Sequence, residues 1–317
     1  MPRSPSAQNH LHLLSFLVPG FLLYARVELQ FAEQSLLKYK DCLRQIQLMV
    51  GDRDICSFST QDVLLLKSTM LAKGNGVSRQ VGILSALKRF LAYCREQQNL
   101  PTLDPVLISV PKRPRREVSY LSTAEVERFV ESIRLSRLDG KVCQSGLRFR
   151  ALVEVLLGTG MRIGELLSLN RDQIDWVHRE AKIVGKGNKE RVVFFTQRAV
   201  SWLRKYLDTR TDQHPALFVA QRGRSRLSRD DIWRPFARYR RLAGISKPVT
   251  PHLLRHTAAT QLLFNGCPIG HIKEILGHER LETTCRYYLG LDRRAAKQAH
   301  QRYLTYSPSD PLYAGQA

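Results

Sequence analysis

Residues 250–291, TPHLLRHTAATQLLFNGCPIGHIKEILGHERLETTCRYYLGL, carry His252, Arg255, His278 and the adjacent Tyr287 and Tyr288 on a pattern of three short helices. Thr250 is a natural N-cap, Pro251 suits the first helical position, and His252 and Arg255 then fall on one face. Gly266 and Pro268 interrupt the pattern. The apolar run Ile269, Ile272, Ile275, Leu276 predicts a second helix closing at Gly277, with His278 just beyond it. Glu282-Thr283-Thr284 opens a third helix. About 100° of rotation separates neighbours on a helix, so only one of the two tyrosines can face a common target.

His252 and His256 are four residues apart, but no Glu follows the first, so the zinc-protease pattern fails. The set supplies a nucleophile, two proton-transfer candidates and a fixed cation. That suits phosphoryl transfer without a metal, provided a second cation joins from elsewhere in the chain. His256, next to Arg255, points to a different face and reads as structural.

The composition around this stretch is basic. Fifty Lys and Arg against 28 Asp and Glu give a formal net charge of +22, while 43% hydrophobic residues supply ordinary cores. A folded chain this basic favours a polyanion, with nucleic acid ahead of an acidic membrane surface. At 317 residues there is room for two domains. Cys42, Cys56, Cys94, Cys143, Cys267 and Cys285 show no paired spacing, which argues against zinc or a disulfide scaffold and fits a reducing cytoplasm. The apolar run at residues 11–25 is too short, and too broken by Pro19-Gly20, to span a bilayer. It is expected to be an added N-terminal helix or the product of a misplaced start.

From about residue 27 to residue 100 the apolar spacing is helical. Leu36, Tyr39, Leu43 and Ile46 form one stripe, and Ile83, Leu84, Leu87, Leu91 and Cys94 another. Ser59 to Asp62 marks a helix start and Gly74-Asn75-Gly76 a turn. Lys88, Arg89 and Arg95 face either DNA or solvent. Residues 101–117 lose the periodicity. There Lys112, Arg113, Arg115 and Arg116 sit among prolines as an extended basic tether able to lie along phosphates.

Leu121-Ser122-Thr123-Ala124-Glu125-Val126 reads as a capping box that opens a second domain. A dense apolar run at 151–157 ends at Gly158-Thr159-Gly160, and a new helix begins near Arg162. Arg162 therefore lies at a tight turn against a buried helix, where a lone arginine is most simply a partner of Glu165. Residues 173–176, 181–184 and 191–195 read as strands, and Gly185-Lys186-Gly187-Asn188-Lys189 as a hairpin tip projecting Lys186 and Lys189. Helices resume at 197–207, at 228–242 behind the capping pair Ser228 and Asp231, and at 293–303. The tail from Ser307 is expected to be disordered.

Taken together, these residues resemble a family. GTGMRIGELLSL (158–169), GKGNKER (185–191), HLLRH (252–256), LGH (276–278) and Tyr287, nine residues past His278, are similar to the ordered blocks of the tyrosine recombinases, the integrase and Xer-like site-specific recombinases. The similarity spans roughly residues 118–300. It implies a mainly α fold with a small β-hairpin sheet, an α+β catalytic domain of the DNA-breaking-rejoining type. The implied organisation is an N-terminal extension (1–26), a helical, SAM-like core-binding domain (27–105), a basic linker (106–117), the catalytic domain (118–300) and a C-terminal tail (301–317).

Carried over residue by residue, the resemblance implies that Arg162 and Arg255 clamp the scissile phosphate and Lys186 protonates the leaving 5′ oxygen. His252 is then the general base or proton relay, His278 a hydrogen-bond donor to the phosphate, and Tyr287 the nucleophile that forms a 3′-phosphotyrosine. Glu165 steadies the site from behind. Lys189 remains the alternative to Lys186, and Tyr288 to Tyr287. Lys112, Arg113, Arg115, Arg116 and Lys189 are implied DNA contacts. The implied partners are double-stranded DNA carrying specific sites, a homotetramer exchanging strands through a Holliday junction, and accessory DNA-bending proteins. No cofactor, metal or membrane is implied, and the expected location is cytoplasmic, with the nucleoid. Two other readings use the same residues: a type IB topoisomerase-like relaxing enzyme, and a non-catalytic DNA-binding protein on the same fold.

Overall fold

The computed structural model describes residues 12–112, 119–136, 139–185, 190–220, 225–277 and 300. Two compact units divide the chain, Met1–Arg116 and Glu117–Ala317, and each has its own apolar core. Lys186, Lys189, Arg113, Arg115, Arg116, His278, Tyr287 and Tyr288 lie outside the described residues. So do the helix expected at 293–303, apart from His300, and the tail from 301.

The first unit is built on helices α1 (Leu14–Val27), α2 (Glu33–Val50), α3 (Thr60–Ala72) and α4 (Val77–Gln97). The stripes read from the sequence become its interior: Leu36, Leu43 and Ile46 from α2 meet Ile83, Leu84, Leu87, Leu91 and Cys94 from α4. Burying one such side chain contributes about 1.5–3 kcal/mol. Ser59 and Asp62 form a reciprocal capping box that fixes the start of α3.

Two edges of this unit differ from the sequence expectation. The expected N-terminal helix is present and runs through Pro19 and Gly20, but residues 14–26 are not an extension outside the domain. Leu14, Leu17, Phe21 and Ala25 of α1 are buried in the same core, and the ring of Phe21 meets those of Phe90 and Tyr93 edge-on at 5.6 Å. Glycine at position 20 is what allows this, because a Cβ there would stand 2.8 Å from the Tyr93 hydroxyl oxygen. At the other edge, the start of the expected linker belongs to the core as well. Ile108 is buried, and its carbonyl oxygen accepts from Lys88 Nζ at 3.1 Å. No helix among the described residues is long and apolar enough to cross a membrane.

The second unit holds α5 (Thr123–Glu131), α6 (Gln144–Thr159), α7 (Ile163–Ser168), β1 (Ile174–Asp175), β2 (Glu180–Val184), β3 (Glu190–Phe194), α8 (Gln197–Leu207), α9 (Asp230–Leu242), α10 (Pro251–Phe264) and α11 (Ile269–Leu276). Residues 149–156 of α6 are all buried, Arg150 and Glu154 among them as an ion pair at 2.8 Å, with α8 and α10 packed against the helix. The three strands pair antiparallel in the order β1-β2-β3. Ile183 faces Arg191 across the β2–β3 ladder, and Ala181 faces Val193. Side chains alternate along a strand, so Arg191 and Val193 turn to the same side of β3, and Val193 is in the core. This register places an arginine at the inner face of the sheet.

Candidate active site

Helix α10 begins as the sequence predicts. The Thr250 hydroxyl accepts from the Leu253 N–H at 3.1 Å, and Pro251 occupies the first turn. His252 and Arg255 are three positions apart on the helix, and both lie on the wall of one cavity of about 460 Å³. Arg162, Glu165, Gly185 and Arg229 also line it. The second cation required by the chemistry thus comes from the turn before α7, about ninety residues earlier in the chain.

Each arginine is held by hydrogen bonds. Arg255 is only 4% exposed; its Nη1 donates to the Gly160 carbonyl and its Nη2 to the Leu276 carbonyl, both at 2.7 Å. Arg162, with 41% of its side chain exposed, donates from Nη1 to Glu165 Oε1 at 2.9 Å and from Nη2 to the Gly277 carbonyl at 3.1 Å. The pairing of Arg162 with Glu165 is therefore real, and it serves the cavity: the carboxylate fixes one edge of a guanidinium that still reaches solvent.

Glu165 is 7% exposed and takes three N–H donors. These are the Arg162 backbone and Arg162 Nη1, together with Arg191 Nη2 at 2.8 Å. Burial pushes its pKa upward, but the Arg162 N–H and the charges of Arg191 and Arg162 outweigh that and hold it below the usual carboxylate range. Glu165 is consequently an anion held inside the protein by two guanidiniums.

His252 has the opposite perturbation. Partial desolvation, followed by the cations Arg255 and Arg162, lowers its pKa below the ordinary histidine value. Its imidazole is neutral at pH 7 and can accept a proton. The ring of His256, read from sequence as pointing elsewhere, instead meets the His252 ring edge-on at 4.1 Å between centroids.

Two groups escaped the sequence reading, Arg229 on the cavity wall and Arg191 behind it. Arg191 closes the GKGNKER block, and an arginine two residues from an apolar valine on a strand is a signal of inward placement. Arg229 is exposed and lies against Gly164, where a Cβ would run into its guanidinium. It sits inside the Ser228–Asp231 capping box, and nothing in that motif distinguishes it from a solvated arginine.

Other candidate cations belong to the first unit. Lys112 is exposed in the first unit. The α4 cations are used internally: Arg89 lies over the Phe31 ring at 5.4 Å and Arg95 pairs with Asp104 at 3.2 Å. Among the described residues one group has metal-ligand chemistry, His12, Asp54 and Cys56 of the first unit, with donor atoms within 4.8 Å of one another. The Asp54 carboxylate already accepts from the Cys56 N–H at 2.9 Å, an Asx-type turn that accounts for its orientation.

Comparison with known proteins gives this geometry its context. Residues 119–294 match the phage integrase family. The tyrosine recombinase XerD of Oceanobacillus iheyensis is 31% identical over 306 residues, covering 92% of this chain and 99% of that protein. XerC of Chlamydia caviae is 34% identical over 250 residues, covering 77% and 78%. Among solved structures, the Tn1549 transposon integrase in complex with transposon right end DNA covers 91% of this chain and 99% of its own, with a TM-score of 0.75. At 18% identity that likeness speaks for the fold alone. A mainly helical chain with a three-stranded sheet, matched along nearly its whole length by Xer proteins and through its second unit by the integrase family, belongs to the tyrosine recombinases and is an enzyme of site-specific DNA recombination.

Proposed function

We propose that this chain cuts and rejoins double-stranded DNA at specific sites by seating the scissile phosphate in the cavity between Arg162 and Arg255 and attacking it with Tyr287. The observation that carries the reading is the convergence of two guanidiniums on one cavity, each held in place by protein carbonyl oxygens.

A phosphodiester under attack spreads negative charge over its non-bridging oxygens in the transition state. Two fixed guanidiniums receive that charge through paired, charge-assisted hydrogen bonds and need no reorganisation when it develops. They supply permanently what a metal ion would otherwise supply.

The Tyr287 oxygen forms a bond to phosphorus while the bond from phosphorus to the 5′ oxygen breaks. A phenol with a pKa of about 10 needs help to attack at neutral pH, and neutral His252 takes its proton. The departing 5′ oxygen must gain one, and Lys186 gives it. Lys186 follows Gly185 on the cavity wall, and His278 follows Gly277, whose carbonyl oxygen accepts from Arg162. A 5′ hydroxyl from another strand then attacks the 3′-phosphotyrosine, displaces the tyrosine and restores a phosphodiester.

The bond energy stays in the tyrosine ester throughout, so no nucleotide cofactor is consumed. Exchange between two sites through a Holliday junction calls for four active chains, and a homotetramer on DNA in the cytoplasm is the working form. A nicked duplex that loses its 5′ fragment after cleavage tests the chemistry. The protein should become covalently attached through a 3′ phosphate, with EDTA present, and Arg162→Ala should slow attachment by at least about 10²-fold. Attachment that requires added metal, or that is unchanged in Arg162→Ala, sinks the proposal.

A further inference from the structure

Three arginines from three different elements converge on one helix end. The last carbonyl oxygens of α11 and its cap are those of Ile275, Leu276 and Gly277. They accept in turn from Arg191 Nη1 at 2.9 Å, Arg255 Nη2 at 2.7 Å and Arg162 Nη2 at 3.1 Å. A helix C-terminus leaves its final carbonyls without intrahelical partners and carries partial negative charge, so cations are favoured there. Arg162 and Arg255 also line the cavity; Arg191 does not. It lies behind them, with 15% of its side chain exposed, and its buried Nε has no hydrogen-bond partner among the described residues.

What Arg191 does from there follows from its two hands. One donates to Ile275 at the end of α11; the other donates to Glu165 Oε2, the oxygen that also accepts the Arg162 backbone N–H. It therefore bridges the carboxylate that orients Arg162 to the C-terminal end of α11. Gly277 is shaped to allow this. Its φ of +63° is left-handed, and a Cβ would collide with the Arg191 side chain.

We infer that Arg191 is a positioning residue for DNA cleavage, setting Glu165, and through it Arg162, in register with the end of α11. The inference rests on the cleavage reading given above. Arg191 touches neither the cavity nor DNA within it, so its loss misplaces the clamp without weakening DNA binding. Lysine is no substitute, because a single ammonium lacks the flat fork that reaches a carboxylate and a carbonyl in different directions.

The pH dependence gives a readout that simple loss of packing does not move. Glu165 is faced by Arg162 at the start of its own helix and by Arg191 from β3, with His252 and Arg255 of α10 and Arg229 around the same cavity. Removing the Arg191 charge removes part of what keeps the buried carboxyl ionised. Its pKa then rises, and the acid limb of the rate profile moves to higher pH. His252 also titrates in this cavity, so the Glu165→Gln background is needed to assign the movement.

The experiment measures single-turnover attachment to the nicked duplex, duplex binding and the pH–rate profile in full-length Arg191→Met, Arg191→Lys and Glu165→Gln/Arg191→Met. Arg191→Met should attach about 10²-fold more slowly, bind duplex within about twofold of the unaltered protein, and show the upward shift of the acid limb. That shift should vanish in the double variant. Arg191→Lys keeps the charge, and so safeguards the test if Arg191→Met fails to fold; it should be slowed without the shift. Attachment at the original rate in either single variant overturns the inference, as does a loss of rate matched by an equal loss of binding with an unmoved profile. The underlying cleavage reading fails separately, if Tyr287→Phe still becomes attached.

Discussion

Arg162 and Arg255 donate to neighbouring carbonyl oxygens, those of Gly277 and Leu276, at 3.1 and 2.7 Å. One helix end thus holds both halves of the proposed phosphate clamp, although the two arginines come from elements far apart in the chain. Their surroundings differ, and the difference predicts different variants.

Arg255 is buried and satisfies two carbonyls of the surrounding fold, whereas much of Arg162 is open to solvent. Arg255→Ala leaves buried acceptors unpaired and should cost on the order of 2 kcal/mol or more of stability as well as activity. Arg162→Ala should remove activity with a much smaller change in melting temperature. Thermal denaturation beside single-turnover attachment separates the two; equal destabilisation by both variants would contradict this picture.

His252 should titrate below the usual value of about 6.5, because desolvation and the cations Arg255 and Arg162 all oppose its protonation. A depressed folded-state pKa favours the native state above the unfolded value and withdraws that contribution as pH falls. NMR titration of the His252 ring should therefore show a low midpoint that rises in Arg162→Ala. A midpoint unchanged by loss of Arg162 would remove the electrostatic basis for its role as proton acceptor.

Arg229 stands exposed beside Gly164 on the cavity wall. If it neutralises one DNA phosphate, Arg229→Ala should weaken duplex binding and reduce the slope of log K against log salt by about 1, with little dependence on sequence. Binding measured across a salt series decides this. An unchanged slope means that Arg229 does not meet the backbone.

Sequence showed some of this architecture because its signals are local. Ser59 with Asp62, Ser122 with Glu125 and Thr250 with Pro251 announce helix starts through contacts no more than three residues long, and the structure contains each of them. The relation of Arg162 to Glu165 was visible for the same reason. Its consequence was not, because Arg191 and Gly277 reach that pair from 26 and 115 residues away. Helix α1 was legible as a helix, but its place in the core was not. Pro19-Gly20 looks like a break until Tyr93 of α4 is brought against Gly20, and that contact spans most of the first unit. Local rules place ends of elements, and long-range hydrogen bonds assemble the site.

The most direct test of the central claim compares Tyr287→Phe with Tyr288→Phe in covalent trapping on the nicked duplex. The account predicts that Tyr288→Phe becomes attached through a 3′ phosphate and that Tyr287→Phe binds the duplex but never does. Attachment of the Tyr287→Phe protein would contradict it.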